Sequence, residues 1–447
     1  MLNNTNKTKS IMKKYFIIAA AAVVAMAGCS KSEILFDETN PGNKIGFEVA
    51  NYARQTKANQ TITNSEDGIY SFHTVAYQFP TIGSPREFMD VDILPYNVTG
   101  TTTTQVTAAN DNDYTITKWA PAQDYYWPKT GYINFYSYAG SHTPDVDVND
   151  DDDWKTVTFT YEDAVITATS NIMVAEAALH YGRTNSEDET YKVDDSESSE
   201  HVTKGVPTLF HHQLAKIKFD VRARTTSDKV SDNTTWKVQV LATQAYGDET
   251  LKSHITPIEK GTLVLTNVDD ASSASRKAWS NAATATNISG WAPSSDTEDI
   301  VFTATADVAS APAVLTIPAG AVQSLTSGET PAPYDPEVIL DWRSVMPQLT
   351  ENVPFTLVYK VQALHGSTVF MEEVRTVGIP AIDGGEAKDL KDLVSSLTSW
   401  AANKKIIYHI TIDPVSEIVT FDPAVEDYDP VEEYNGYINE GGITSEF

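Results

Sequence analysis

Cysteine is nearly absent: the 447 residues hold one, Cys29. A single thiol gives no disulfide framework and no zinc site of the cysteine type, so stability has to come from apolar burial, which a chain of this length can supply. Basic residues are scarce as well. Thirty-two Lys and Arg stand against 61 Asp and Glu, for a formal net charge of -29 at pH 7. So negative a surface repels phosphate backbones and anionic headgroups, which argues against nucleic acid and anionic membrane as ligands. Long apolar runs are missing too. Tyr15 to Met26 is an unbroken run of twelve, and a bilayer span needs roughly 20.

Motifs of catalysis are also lacking. There is no Gly-rich phosphate loop, no HExxH, no GxSxG elbow and no paired-cysteine motif. Carboxylates are abundant, but nothing singles out a pair of them for acid-catalysed glycan hydrolysis. The expectation is a chain that is not an enzyme and needs no cofactor.

What is present begins at the N-terminus. Lys13 and Lys14 precede the twelve-residue apolar run, and the small residues Ala27 and Gly28 lead to Cys29. A basic start, a short apolar stretch and small residues at a cleavage site describe a secretory signal peptide. Met26-Ala27-Gly28-Cys29 resembles the lipobox of bacterial lipoproteins, with Met where Leu is usual. The resemblance implies cleavage between Gly28 and Cys29 and acylation of the cysteine, palmitate among the acyl groups. Several chains on one residue anchor stably where one is marginal. Met12 is the better start codon, since the residues before it add nothing to a signal. Cleavage leaves 419 residues (447 minus 28) and removes four lysines and no acids, taking the charge from -29 to -33.

Beyond the signal, residues 29–44 read as a lipid-proximal tether. Short alternating runs follow. In "AKIKFDVRAR" Ile217, Phe219 and Val221 share one parity while Lys216, Lys218, Asp220 and Arg222 share the other, the pattern of a strand with one wet face. "GIYSFHTVAYQF", "KTVTFTYED", "GTLVLTNV", "PFTLVYKVQAL" and "KIIYHITI" repeat it, with Gly, Pro, Asn and Asp clusters between. Many short strands separated by turns predict an all-β chain of sandwich type. One segment departs from this: Leu390, Leu393, Val394, Leu397 and Trp400 recur at three and four, which predicts a short helix near residues 385–402. The apolar-poor stretch 180–205 places a domain boundary around Gly205, giving an N-terminal sandwich over 45–204 and a C-terminal one over 205–447.

Three clusters raise the question of a site. His211 and His212 are adjacent, and adjacent residues on a strand point to opposite faces, which disfavours a shared metal. Asp145, Asp147 and Asn149 match the start of a calcium loop, but Asp150 stands where Gly is required and Thr156 where a bidentate Glu is. The expectation is therefore no metal. In "WAPAQDYYWPKTGYINFYSYAG", Trp119, Tyr125, Tyr126, Trp127 and Tyr132 are either a sugar-stacking platform, with Trp119, Tyr126 and Trp127 as glycan contacts, or core and edge residues of a strand carrying Ile133 and Phe135.

"YYWPKTGYINFYSYAG", "SNIMVAEAALHYG" and "VPTLFHHQLAKIKFDVRA", in this order behind a lipobox, resemble the fimbrillin family of major-fimbrium-like lipoproteins. The match covers about residues 115 to 225. Asn171-Ile172-Met173-Val174-Ala175 departs from the family's "DIMYA-like" segment by Asn for Asp and Val for the aromatic. The resemblance implies two tandem transthyretin-like β-sandwiches and a fimbrial subunit serving adhesion, lipid-anchored to the outer membrane at the cell surface. It implies homo- or hetero-polymer partners among other fimbrial subunits, with host or bacterial surface ligands beyond them. It further implies that a trypsin-like protease cuts after a basic residue and frees an early strand, whose groove then takes a strand from the next subunit. In "KIGFEVANYARQTKA" the residues Ile45, Phe47 and Val49 share one face ahead of Arg54 and Lys57. A cut there would remove an apolar strand and leave unpaired backbone for an added one. The C-terminal end is the expected source of a donor, though Val431, Tyr434, Tyr437, Ile438 and Ile443 alternate poorly. The alternative function is a surface glycan-binding lipoprotein of a polysaccharide uptake system.

Overall fold

Strand after strand in this chain alternates apolar with polar residues, and the computed structural model turns that alternation into sheets. It describes residues 44–50, 60–61, 70–99, 101–107, 115–116, 118–128, 131–182, 205–224, 233–241, 244–246, 249–270, 276–281, 288–302, 314–317, 319, 337–378, 396–415 and 418–427. The first half supplies β1 (Phe47–Ala50), β2 (Phe72–Phe79), β3 (Arg86–Thr99), β4 (Lys118–Pro121) and β5 (Tyr132–Gly140). Next come β6 (Thr156–Val165), β7 (Ile172–Ala175), β8 (Ala177–Tyr181) and β9 (Val206–His212).

Seven of these close on themselves. β1 pairs with β4, β4 with β3, β3 with β2, β2 with β5, β5 with β7, β7 with β9, and β9 with β1 again. Six of the pairings are antiparallel, and the last, β9 with β1, is parallel. A closed ring of strands has no edges, and its interior must be filled by side chains. Here the filling is aromatic: Phe47, Phe72, Trp119, Phe135 and Phe210 are all buried in one cluster. β5 is buried on both faces, which is why its sequence reads as a nearly continuous apolar run.

The second half supplies β10 (Ala215–Ala223), β11 (Thr234–Val240), β12 (Lys260–Val268), β13 (Glu337–Val345), β14 (Phe355–His365), β15 (Thr368–Gly378), β16 (Lys404–Asp413) and β17 (Ile418–Asp427). β12 pairs with β6 on one side and with the short strands Ser280–Asn281 and Trp291–Pro293, which follow it in the chain, on the other. That sheet covers the outside of the ring, where Tyr77, Tyr136 and Tyr138 meet Phe159, Leu263 and Trp291. The other strands build a two-sheet sandwich. One sheet runs β13-β10-β16-β17; the other contains β11, β14 and β15 with shorter pieces. Between them lie Phe219, Phe302, Phe355, Tyr408 and the aliphatic residues of the same parity, with Phe219 stacked on Tyr408 at 4.8 Å. The fold is thus all-β, as the alternation predicts. Gly205 leads directly into β9, so residues on both sides of it contribute to the ring, and β12 joins residues 260–268 to the same half.

Among the described residues there is one short 3-10 turn, Thr350–Asn352, and no α-helix. Most of the segment predicted to be helical lies outside the described residues, but its last part corrects the expectation. Residues 396–398 are turn and coil, and Ser399–Trp400 is a short strand paired with Gln348–Leu349. The reason is Trp400, which is fully buried in the sandwich and donates from Nε1 to the Tyr408 hydroxyl at 2.8 Å. Extended backbone delivers the ring there and gives its buried N–H the partner it requires.

Candidate functional site

β1 is four residues long and lies between two neighbours of opposite direction. Phe47, Glu48, Val49 and Ala50 stand level with Val206, Pro207, Thr208 and Leu209 of β9 in the parallel pair. On the other side Phe47 alone stands level with Trp119 of β4. The chain ahead of β1 is held too: Ile45 N–H donates to the Tyr125 carbonyl at 2.8 Å, and Val206 N–H donates to the Gly46 carbonyl at 2.8 Å.

Of the three residues expected on an exchanged strand, Ile45 and Phe47 are 2% and 4% exposed and Val49 packs partly buried against the same cluster. The Phe47 ring meets Phe72 and Phe135 edge-on, at 5.6 and 5.8 Å between centroids. Burial of apolar side chains of this size contributes about 1.5–3 kcal/mol each. Their loss would open a groove floored by Phe72 and Phe135 and leave the β1-facing backbone of β9 unpaired. Such an edge is a template for another strand. By contrast, the Lys44–Asp124 ion pair at 2.6 Å is between exposed side chains and contributes little.

The aromatic platform is a correction. Trp119 and Trp127 are both 5% exposed, their rings packed against Phe72 and Phe135 respectively. An indole buried in a core offers no face to a sugar. Tyr126 is half-buried, with Lys44 Nζ 5.9 Å from its ring centroid. The histidines are separated as strand geometry dictates: His211 Nε2 pairs with Glu176 at 3.2 Å, and His212 Nδ1 with Asn171 at 3.0 Å. Asp145 to Val148 is a strand paired with β6, and the Asp152 carboxylate accepts from the Lys155 and Thr156 backbone amides. Among the described residues no group of His, Cys, Asp and Glu is arranged to hold a metal ion. Cys29, Gly28, Arg54 and Lys57 lie outside the described residues.

Two features of the groove escaped the sequence reading. One is the parallel partner, Val206–Leu209, which follows β1 by more than 150 residues. The other is the glycine pair at the mouth, Gly46 and Gly205; Gly205 carries φ +87° and touches the Gly46 backbone. The glycine ahead of Val206 was the available signal, because glycine is the residue that takes positive φ freely.

No protein-family model matches the sequence, and no curated protein matches it. Solved structures do. A fimbrial protein from Bacteroides vulgatus is 12% identical, with a TM-score of 0.42 over 86% of this chain and 99% of its own. The tip fimbrial protein Mfa3 from Porphyromonas gingivalis, with a C-terminal truncation, is 10% identical, with a TM-score of 0.30 over 86% of this chain and 98% of its own. Likeness at this level says nothing about what the chain does.

Proposed function

We propose that this chain is a subunit of a cell-surface fimbria serving adhesion, exported as an outer-membrane lipoprotein and activated when β1 is cut away. It does no covalent chemistry in this reading; its work is to bind other subunits. The observation that carries the proposal is β1 itself, a four-residue strand that closes the ring between β9 and β4 and lies just ahead of Arg54 and Lys57. While β1 is in place the ring has no free edge. Once it leaves, a groove lined by aromatic residues and bounded by unpaired backbone accepts an extended strand from another subunit. The lipobox at Met26–Cys29 supplies the anchor, and the three ordered motifs between residues 115 and 225 support the family reading. With Trp119 and Trp127 in the core, glycan capture through that platform has no structural support.

Limited trypsin digestion of the purified mature chain tests this. The expected result is one early cut after Arg54 or Lys57, loss of the N-terminal fragment, and appearance of oligomers that survive mild heating. A chain that is cut there and stays monomeric would sink the strand-exchange reading.

A further inference from the structure

Between the acylated cysteine and β1 the tether carries two basic residues, Lys31 and Lys44. In the fimbrial reading, on which this inference rests, the point of cleavage decides what is released. A cut after Arg54 or Lys57 leaves the lipid on the fragment that contains β1, so the chain leaves the membrane only by giving β1 up. A cut after Lys44 would free the chain with β1 still seated and its ring closed. Lys31 follows Cys29 by two residues, a reach of at most about 7 Å, too close to the bilayer for a protease cleft to enclose it. Lys44 has no such cover from the membrane.

The fold covers it instead. Lys44 forms an antiparallel bridge with Tyr126, and the N–H of the Lys44–Ile45 bond itself donates to the Tyr125 carbonyl at 2.8 Å. Ile45, on the far side of that bond, is 2% exposed. Lys44 Nζ lies 2.6 Å from Asp124 Oδ2 and 5.9 Å from the centroid of the Tyr126 ring. The segment that supplies these partners is fixed at both ends. The Ala122 N–H donates to the Asp92 carbonyl at 2.9 Å, and Trp127 is buried with its ring against Phe135. A trypsin-like protease has to take the lysine ammonium into an acidic pocket and pair the peptide on either side with its own backbone. At Lys44 the ammonium, the N–H of the bond and the next side chain are all engaged, so cleavage there draws only on the locally opened population. We propose that residues 122–127 guard the Lys44–Ile45 bond, so that release from the lipid and opening of the groove are one event.

Limited trypsin digestion of the lipidated full chain in detergent, with N-terminal sequencing of the products, tests this. Products beginning at Gln55 or Ala58 are expected early, and none beginning at Ile45. Products beginning at Ile45 at a comparable rate overturn the guard. Asp124→Ala removes the partner of the ammonium without touching the core. Cleavage after Lys44 should then rise about threefold, the scale of an exposed ion pair, with cleavage after Arg54 and Lys57 unchanged. Ile45→Ala empties a core position and should raise the same cut at least about thirtyfold. A rate at Lys44 unchanged in both variants, or in Asp124→Ala rising equally at all three bonds, overturns the proposal. The fimbrial reading fails separately: a chain cut after Arg54 or Lys57 that stays monomeric sinks strand exchange and leaves the guard intact, whereas ready cutting after Lys44 sinks the guard whether or not oligomers form.

Discussion

Gly205 lies against the backbone of Gly46: a Cβ added at Gly205 would sit 2.7 Å from both the Gly46 carbonyl carbon and its oxygen. With φ at +87°, any other residue meets both a backbone conformation that L-residues avoid and a clash with the chain entering β1. Gly205→Ala should cost at least about 1–2 kcal/mol from the backbone conformation alone. Because the displaced partner is β1, cleavage at Arg54 by trypsin should also accelerate. Chemical denaturation and a digestion time course check the two halves; a variant as stable and as resistant as the parent would show that the two glycines do not seat β1.

Phe47→Ala removes the ring that meets Phe72 and Phe135. A core phenylalanine truncated to alanine costs about 3–5 kcal/mol, and the uncut full-length chain should lose that much in urea. After trypsin has removed β1 the same substitution should have no effect on the remaining chain, which makes the comparison its own control.

Asn134 and Asp269 belong to a buried ring of hydrogen bonds outside the groove. Asn134 Nδ2 donates to Asp269 at 2.7 Å, His180 Nε2 lies 2.7 Å from the other Asp269 oxygen, and the His180 amide donates to Asn134 Oδ1 at 2.8 Å. The ring fastens the end of β12 to a bulge in β8, where His180 holds φ at 63°. Asn134→Ala leaves two of these groups without partners and should cost about 1–3 kcal/mol, read from the midpoint of denaturation.

Alkaline pH should unfold the chain rather than titrate it smoothly. Burial raises the hydroxyl pKa of Tyr136, Tyr161, Tyr77 and Tyr408, and that of Tyr138 to about 12, with Asp90 and Asp92 adding to the last. A tyrosine ionises near 10 when unfolded. A raised folded value means that its contribution to stability is complete below pH 10 and is lost as pH climbs through the folded value. Absorbance at the phenolate band should therefore show exposed tyrosines titrating first, and these five only together with loss of circular dichroism above about pH 12. Titration of all 21 tyrosines in a single step near pH 10 with the fold intact would contradict this.

Cys29→Ser should abolish incorporation of labelled palmitate and release the chain from the membrane fraction. Labelling that persists would place the lipid elsewhere or refute the lipobox reading.

Strand content was legible because alternation is a local property: Ile217, Phe219 and Val221 declare a buried face without reference to any partner. The exposed-face lysines and arginines of β10 were legible for the same reason. What the local pattern could not contain was closure. Nothing near Phe47 names Val206 as its parallel neighbour, and nothing near Lys260 announces that β12 will pair with β6. The helix near residues 385–402 was misjudged at its end because Trp400 fits a helical face and a strand equally well; a distant hydroxyl, that of Tyr408, decides between them. Trp119 and Trp127 posed the same ambiguity, since an aromatic ring reads alike as binding platform and as core until its neighbours are known.

The parallel pair at the mouth of the ring also sets a timetable. Phe47 and Val206 stand level although 159 residues (206 − 47) separate them. At ~5–20 residues per second of synthesis, roughly 10–30 s pass between their appearances. The ring cannot close before β9 exists, and the long loop between the two strands adds closure entropy to that last pairing. The strand that closes the ring is thus the one whose main partner is made last, so sealing the ring is a late, long-range step of folding.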